Sequence, residues 1–412
     1  MSAPMINWVP IVNRIYKYVA NTTIGSSSPS INLPPVEIHD IETAPEKRPR
    51  TLKHLLKSNH INHSILYNHN RFHNHLPHHL GSAYLLGADY DRLQKVYSEE
   101  SKHLEEWQDS PGEITDADWR EFLGEKTYQR AYVDFFEDEL ALKFSYDWKA
   151  LVEEYLYSGK APLVNGLTSG LGHPLIHLGY AVELNSRELA IEALSLTSTC
   201  YNFMHKYLDD PSYTKASTYN TTSPLEILHK IHADSRLDGE HEDFILEHWN
   251  AWSINDPQKQ FQDSQEAAVH LLVQTVKPGT HAYDFFVVHV LTTSHAVRIL
   301  LPFVPAKFQI SLIRQWWLLT IAVYCAQMRP KINEDIEQKP GKGWKYVEDK
   351  AINGSWATDP HYVKAIRAIK EIAFTWGDVH ERYLSMAVTF ADDFKGWTGF
   401  GSSESDSVGG HL

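Results

Sequence analysis

The chain has 412 residues, 42% hydrophobic and 22% charged, a globular composition with a net charge of −14. That acidity argues against a nucleic-acid surface, which needs clustered Lys and Arg, and no apolar run reaches the roughly 18–20 residues needed to cross a membrane. Cys200 and Cys325, the only cysteines, cannot form a disulfide framework, a Cys-rich zinc site or an iron–sulfur cluster. The N-terminus lacks a basic start followed by a long apolar stretch, so a reducing, cytoplasmic location is expected.

In chain order, residues 19–50 are rich in Ser, Thr and Pro and read as an extended arm. Histidine is the unusual residue: 24 in all, eight of them between His54 and His79. His54 to His73 read as a polar, solvated loop, and His75 to His79 lead into a small, apolar helix around Ala83 and Gly87. Apolar spacing of three and four predicts helices over 93–107, 147–158, 186–208, 262–276, 282–301, 307–326 and 361–375, and the helix at 168–184 is apolar along its length. Ser223-Pro224-Leu225-Glu226 and Asp359-Pro360 carry helix-start signals. Residues after about 400 are Gly/Ser-rich. The expected organisation is an arm over 1–50, one large all-α domain over 51–400 and a tail over 401–412. A central buried helix layer (168–184 and 282–301) carries a His-rich metal site.

There is no dinucleotide fingerprint, P-loop, H-E-x-x-H or G-x-S-x-G elbow, so any chemistry falls to histidines and carboxylates. Three constellations stand out. His78 and His79 lie in the first turn of their helix. His173 and His177, four apart, share one face within about 40° and can reach one ion. His289 and His295 lie about 120° apart around a helix, with Thr292 midway. Inward-facing histidines on helices are how bundles build metal sites, and a buried imidazole needs a hydrogen bond or a metal. The alternatives are a polar, solvated loop for His75 to His79, two core histidines satisfied by the backbone for His173 and His177, and a polar stripe on an otherwise apolar helix for His289 and His295.

The run Phe72-His73-Asn74-His75-Leu76-Pro77-His78-His79-Leu80, the run Gly172-His173-Pro174-Leu175-Ile176-His177-Leu178-Gly179-Tyr180, the stretch His289…Thr293-Ser294-His295-Ala296 and the late His361…Lys364-Ala365-Ile366-Arg367-Ala368 resemble the fungal questin-oxidase-like family. The resemblance spans roughly residues 50–400. It implies oxidative cleavage of an anthraquinone-type aromatic polyketide in secondary metabolism. One branch is Baeyer–Villiger-like and NADPH-requiring. The other is a non-haem iron dioxygenase holding Fe(II) through four histidines and a carboxylated lysine, which maps onto Lys364. The ligands implied here are His173, His177, His289 and one of His78 and His79, with His295 in reserve and Glu183 a spare carboxylate. Periodicity alone puts Lys364 on a solvated stripe with His361, Arg367 and Glu371; only the resemblance makes it a ligand.

On that implication dioxygen attacks a phenolic substrate beside the metal, and Thr292 or Thr293 orients substrate or oxygen. Trp316 and Trp317 are reserve aromatic contacts for a flat ligand. The rival readings are an NADPH-dependent Baeyer–Villiger monooxygenase without bound iron and a non-catalytic helical binding protein.

Overall fold

The structure is a computed structural model that describes residues 31–159, 162–210, 212–236 and 241–400. Residues 1–30 of the expected arm and the whole 401–412 tail lie outside the described residues. The described part of the arm runs to Glu46 without helix or strand, and it is tied down by the His39 N–H donating to the Glu183 carbonyl at 2.7 Å.

Sixteen α-helices follow among the described residues. They begin with α1 (Lys47–Asn62), α2 (Leu76–Leu85), α3 (Tyr90–Glu100), α4 (Gln129–Leu142), α5 (Trp148–Tyr157), α6 (His173–Leu184) and α7 (Arg187–Thr199). After the short α8 (Lys206–Asp209) come α9 (Pro224–Ala233), α10 (His241–Asn250), α11 (Pro257–Val273) and α12 (Phe285–Leu300). The series closes with α13 (Ala306–Ala326), α14 (Trp344–Asn353), α15 (Pro360–Trp376) and α16 (Arg382–Asp393). Two small strand pairs interrupt them. Antiparallel β1 (Leu66–Tyr67) and β2 (Phe72–His73) pair Leu66 with His73, and parallel β3 (Tyr283–Asp284) and β4 (Trp397–Thr398) pair Tyr283 with Trp397.

The centre is the packing of α6 and α12, flanked by α7, α13 and α15. Every residue of α12 from Val287 to Leu300 is buried, and so is nearly all of α6, as expected for helices apolar on all sides. Buried hydroxyls bond back to their own helix: Thr293 of α12 donates to the His289 carbonyl and Thr197 of the neighbouring α7 to that of Ala193. Close approach depends on two glycines. A Cβ on Gly179 would sit 3.3 Å from the Ala296 Cβ, and one on Gly172 only 2.3 Å from the Thr293 Cγ2. Both predicted caps form: the Ser223 hydroxyl accepts from Glu226 N–H, and the Asp359 carboxylate accepts from the N–H groups of His361 and Tyr362.

Three expectations change. The helix expected from 168 starts at His173, because Gly170, Leu171 and Gly172 all have left-handed φ (53°, 56° and 79°) and break the preceding turn. The helix expected over 186–208 ends at Thr199. The histidines of 54–73 are not all on a solvated loop: His54 and His60 belong to α1, and His60 and His73 are buried. His60 is bonded by two carboxylates, while His73 stacks flat on His173 with centroids 3.8 Å apart and lies 3.6 Å from Cys200 Sγ.

Candidate metal centre

Four elements each send one imidazole to a common point. His75 precedes the first turn of α2, His173 opens α6, His289 lies one turn into α12, and His361 lies in the first turn of α15. One nitrogen of each lies within 4.8 Å of the others. The rings form a closed circuit, with centroid separations of 4.8 Å (His75 to His173), 5.0 Å (His173 to His289), 4.9 Å (His289 to His361) and 4.4 Å (His361 to His75). The left-handed Gly170-Leu171-Gly172 turn brings the Gly170 carbonyl 2.6 Å from His173 Nδ1. His289 Nδ1 meets the Phe285 carbonyl at 2.8 Å. A carbonyl can only accept, so in both rings Nδ1 carries the proton and Nε2 keeps its lone pair toward the cluster. Burial, with the Lys364 charge close by, holds His289 and His361 well below the usual histidine range, so the rings are neutral.

The four imidazoles could hold a metal ion. His289 Nε2, both nitrogens of His361 and Lys364 Nζ are buried without a hydrogen-bond partner. Each such orphan costs about 1–3 kcal/mol, and a metal ion that accepts imidazole lone pairs removes that cost. Phe285 covers the cluster, 4.6 Å from the His361 ring and 5.1 Å from the His289 ring.

Lys364 is three residues beyond His361 on the same face of α15 and is 2% exposed, so of the stripe that periodicity assigned to solvent His361, Lys364 and Arg367 are buried and only Glu371 reaches the rim. Burial lowers its ammonium to about 7, with Asp359 and Glu100 opposing weakly. Near neutral pH, much of the amine is therefore uncharged.

The remaining predicted ligands go elsewhere. His78 Nε2 meets His177 Nδ1 at 2.8 Å, and His177 Nε2 meets Glu192 Oε2 at 2.5 Å. Glu192 Oε1 lies 2.8 Å from His60 Nδ1, and His60 Nε2 lies 2.9 Å from Glu137, which reaches the surface. Burial would lower His60, but bonds to Glu137 and Glu192 outweigh it and push the imidazole up to about 10. Burial would likewise raise Glu192, but the bonds from His177 and His60 hold it at about 2. His79 bonds Glu100 and the Ala357 carbonyl, tying α2 to its surroundings. His295 lies apart from the four-ring circuit, 3.9 Å from Glu183. Thr293 turns its hydroxyl to the helix backbone and its methyl to Gly172, while Thr292 borders a small space beside Lys364. Trp316 and Trp317 are core residues, and Trp316 Nε1 donates to the Val290 carbonyl. Sequence reasoning missed His75 and His361 as members of the cluster. The available signal was the His361/Lys364 spacing of three behind the Asp359 cap.

Residues 72–369, which include all five of these groups, match the protein-family model described as questin oxidase-like. The Baeyer-Villiger oxidase ptaJ of Pestalotiopsis fici is 24% identical over 77% of this chain and 79% of its own length. The questin oxidase of Aspergillus terreus is 23% identical over 77% of this chain and 79% of its own. The oxidoreductase AflY of Aspergillus parasiticus is 35% identical over a shorter stretch, 30% of this chain and 26% of its own length. No helix among the described residues is long and apolar enough to cross a membrane.

Proposed function

This chain belongs to the questin oxidase-like family and is an oxidoreductase, and on that premise we propose that it is an iron(II)-dependent oxygenase that opens an anthraquinone-type ring in fungal polyketide metabolism. The convergence of His75, His173, His289 and His361 beside the buried, unpartnered Lys364 carries the reading. When bound, iron(II) supplies affinity for dioxygen and redox chemistry that the side chains lack.

The chain's own residues supply the rest. The Gly170 and Phe285 carbonyls orient His173 and His289 and fix their tautomers. Lys364, if it stayed an ammonium, would repel a cation held by the histidines. As a neutral amine it bonds through nitrogen to the carbon of carbon dioxide and releases one proton to water, leaving an anionic carbamate that attracts the metal. Phe285 packs its ring against His289 and His361 and limits the space on that side of the cluster. The chain of contacts from Glu137 through His60, Glu192 and His177 to His78 provides a route for protons between the surface and the neighbourhood of the site.

The test is elemental analysis of the purified protein, with oxygen uptake measured on a panel of hydroxyanthraquinones. The expected result is close to one iron per chain and substrate loss only in air. Less than about one-tenth equivalent of iron, with no gain on adding Fe(II), overturns the reading. The relatives named Baeyer-Villiger oxidases favour a second outcome, insertion of a single oxygen atom beside a ring carbonyl; on that reading the second oxygen atom leaves as water and a reductant such as NADPH has to be supplied. Labelled dioxygen separates the two, because cleavage by a dioxygenase retains both labelled atoms and insertion retains one.

A further inference from the structure

Lys364 also borders a second buried polar cluster, away from the four histidines. A cavity of about 360 Å³ lies under the segment around Pro34 to His39, and its inner wall carries His295, Arg298, Arg367 and Glu183. A second, separate space of about 10 Å³, roughly room for one water, shares the Glu183, His295 and Arg367 wall and is bounded on its other side by Lys364, Thr292 and Tyr180. Arg367 is 2%, Arg298 6% and His295 7% exposed.

These three side chains are under-bonded. Arg298 donates through Nη2 to the Pro34 carbonyl at 2.8 Å and through Nε to Thr375 Oγ1 at 3.2 Å, and its Nη1 has no partner. Arg367 pairs with Glu183 through Nη2, leaving its Nε and Nη1 without partners. Neither nitrogen of His295 is bonded. The acidic groups nearby do not satisfy them. Glu183 is engaged by Arg367, Glu371 is half-buried at the rim, and the Glu37 side chain at the mouth is 84% exposed. Lys370, also on the rim, is paired with Glu348 at 2.7 Å.

Buried polar atoms in native proteins are nearly always satisfied, and two guanidinium groups with open N–H donors match a planar oxyanion. We propose that this chamber binds a carboxylate-type oxyanion through the open nitrogens of Arg298, Arg367 and His295. Two sources share that chemistry. One is bicarbonate, which would keep a precursor of carbon dioxide next to Lys364. The other is a carboxylate on an aromatic substrate, whose ring has room in the 360 Å³ cavity and none in the 10 Å³ space beside Lys364. The use of the site rests on the function proposed above, but binding of the anion does not.

The experiment is calorimetric titration of the metal-free, full-length protein with sodium bicarbonate and sodium benzoate at matched ionic strength, with benzamide as the neutral control. Saturable binding of at least one anion is expected, with none of benzamide. Arg298→Gln should weaken it about tenfold or more, and His295→Leu by a smaller factor, with thermal melts confirming that each variant folds. If Arg298→Gln does not fold, His295→Leu alone decides. Carbon-13 NMR with labelled bicarbonate separates reversible binding from reaction at Lys364. Binding of bicarbonate alone assigns the site to that ion, and binding of benzoate alone assigns it to a substrate carboxylate. Binding of neither anion, equal binding of benzamide, or affinity unchanged in the folded variants overturns the proposal. Iron content is measured separately: an anion-binding protein without iron sinks only the oxygenase reading, and an iron-loaded protein that ignores both anions sinks only this one.

Discussion

His173 and His177 sit on the same face of the same helix, four residues apart and both buried, yet they belong to different chemistries. His173 is held by a backbone carbonyl and turns its other nitrogen to three more imidazoles. His177 is held by Glu192 and turns its other nitrogen to His78, which sits one step outside the cluster. Spacing brought both rings to the interior. What each ring's second nitrogen meets decides its role. The nitrogen of His173 not held by the carbonyl faces the other three rings, whereas the second nitrogen of His177 is taken up by His78, which leaves that ring inside a buried charge network.

The largest expected effect comes from breaking the four-histidine side of this contrast. His289→Ala or His361→Ala should lower iron affinity by about a hundredfold or more, beyond what loss of an outer hydrogen bond does, whereas His177→Gln should retain near-normal iron. Equal losses at His177 and His289, read by elemental analysis after dialysis against a chelator, would erase the distinction. Lys364→Ala should abolish turnover, with partial rescue by bicarbonate or short carboxylic acids. Full activity without rescue would remove the carbamate from the reading.

Breaking the network side should instead cost stability. Glu192→Gln leaves His60 and His177 without their shared carboxylate, and a loss of about 3–5 kcal/mol in denaturant unfolding is expected. Iron affinity should fall by about tenfold at most.

The same network sets a pH dependence. His60 is raised from 6.5 to about 10, so its contribution to stability is complete below about 6.5 and is lost as pH rises through about 10. Glu192 is lowered from 4.5 to about 2, so its contribution is present above about 4.5 and is lost as pH falls through about 2. A His60→Gln variant should therefore lose fewer degrees of melting temperature than the parent between pH 6.5 and 10, and parallel curves would contradict the assignment. The smallest effect is expected at Thr293. Its hydroxyl is committed to the backbone, so Thr293→Val should leave turnover within about twofold and stability within about 1 kcal/mol. A large kinetic loss would restore it as a group that touches substrate.

Helix periodicity and capping made most of the fold readable: α12, α13 and α15 lie where apolar spacing put them, and Ser223 and Asp359 cap as their sequence contexts imply. The site was less legible because its four histidines come from four separate elements. Nothing local in the sequence says that His75, at the start of α2, will meet His361, at the start of α15. Lys364 was misplaced for a related reason. Periodicity identifies an apolar face, but the polar stripe with His361 and Arg367 is also covered, because α15 packs against both α2 and α12 and Arg367 pairs with Glu183 of α6. The choice between His173 and His177 turned on Glu192, which a reading confined to α6 does not contain.

The short parallel pairing of β3 with β4 has a consequence for how the site comes into being. β4 lies beside the residues that lead into α12, and Trp397 Nε1 donates at 2.8 Å to Asp359, the cap of α15. Two of the four ligand-bearing helices are thus clipped at their starts by residues translated long after His75 and His173. During synthesis the early histidines emerge first and wait without their partners, since chains fold progressively from the N-terminus. If the cluster holds iron as proposed, capture waits on these late residues, and a chain truncated before Trp397 should retain less iron after dialysis than the full chain, as read by elemental analysis.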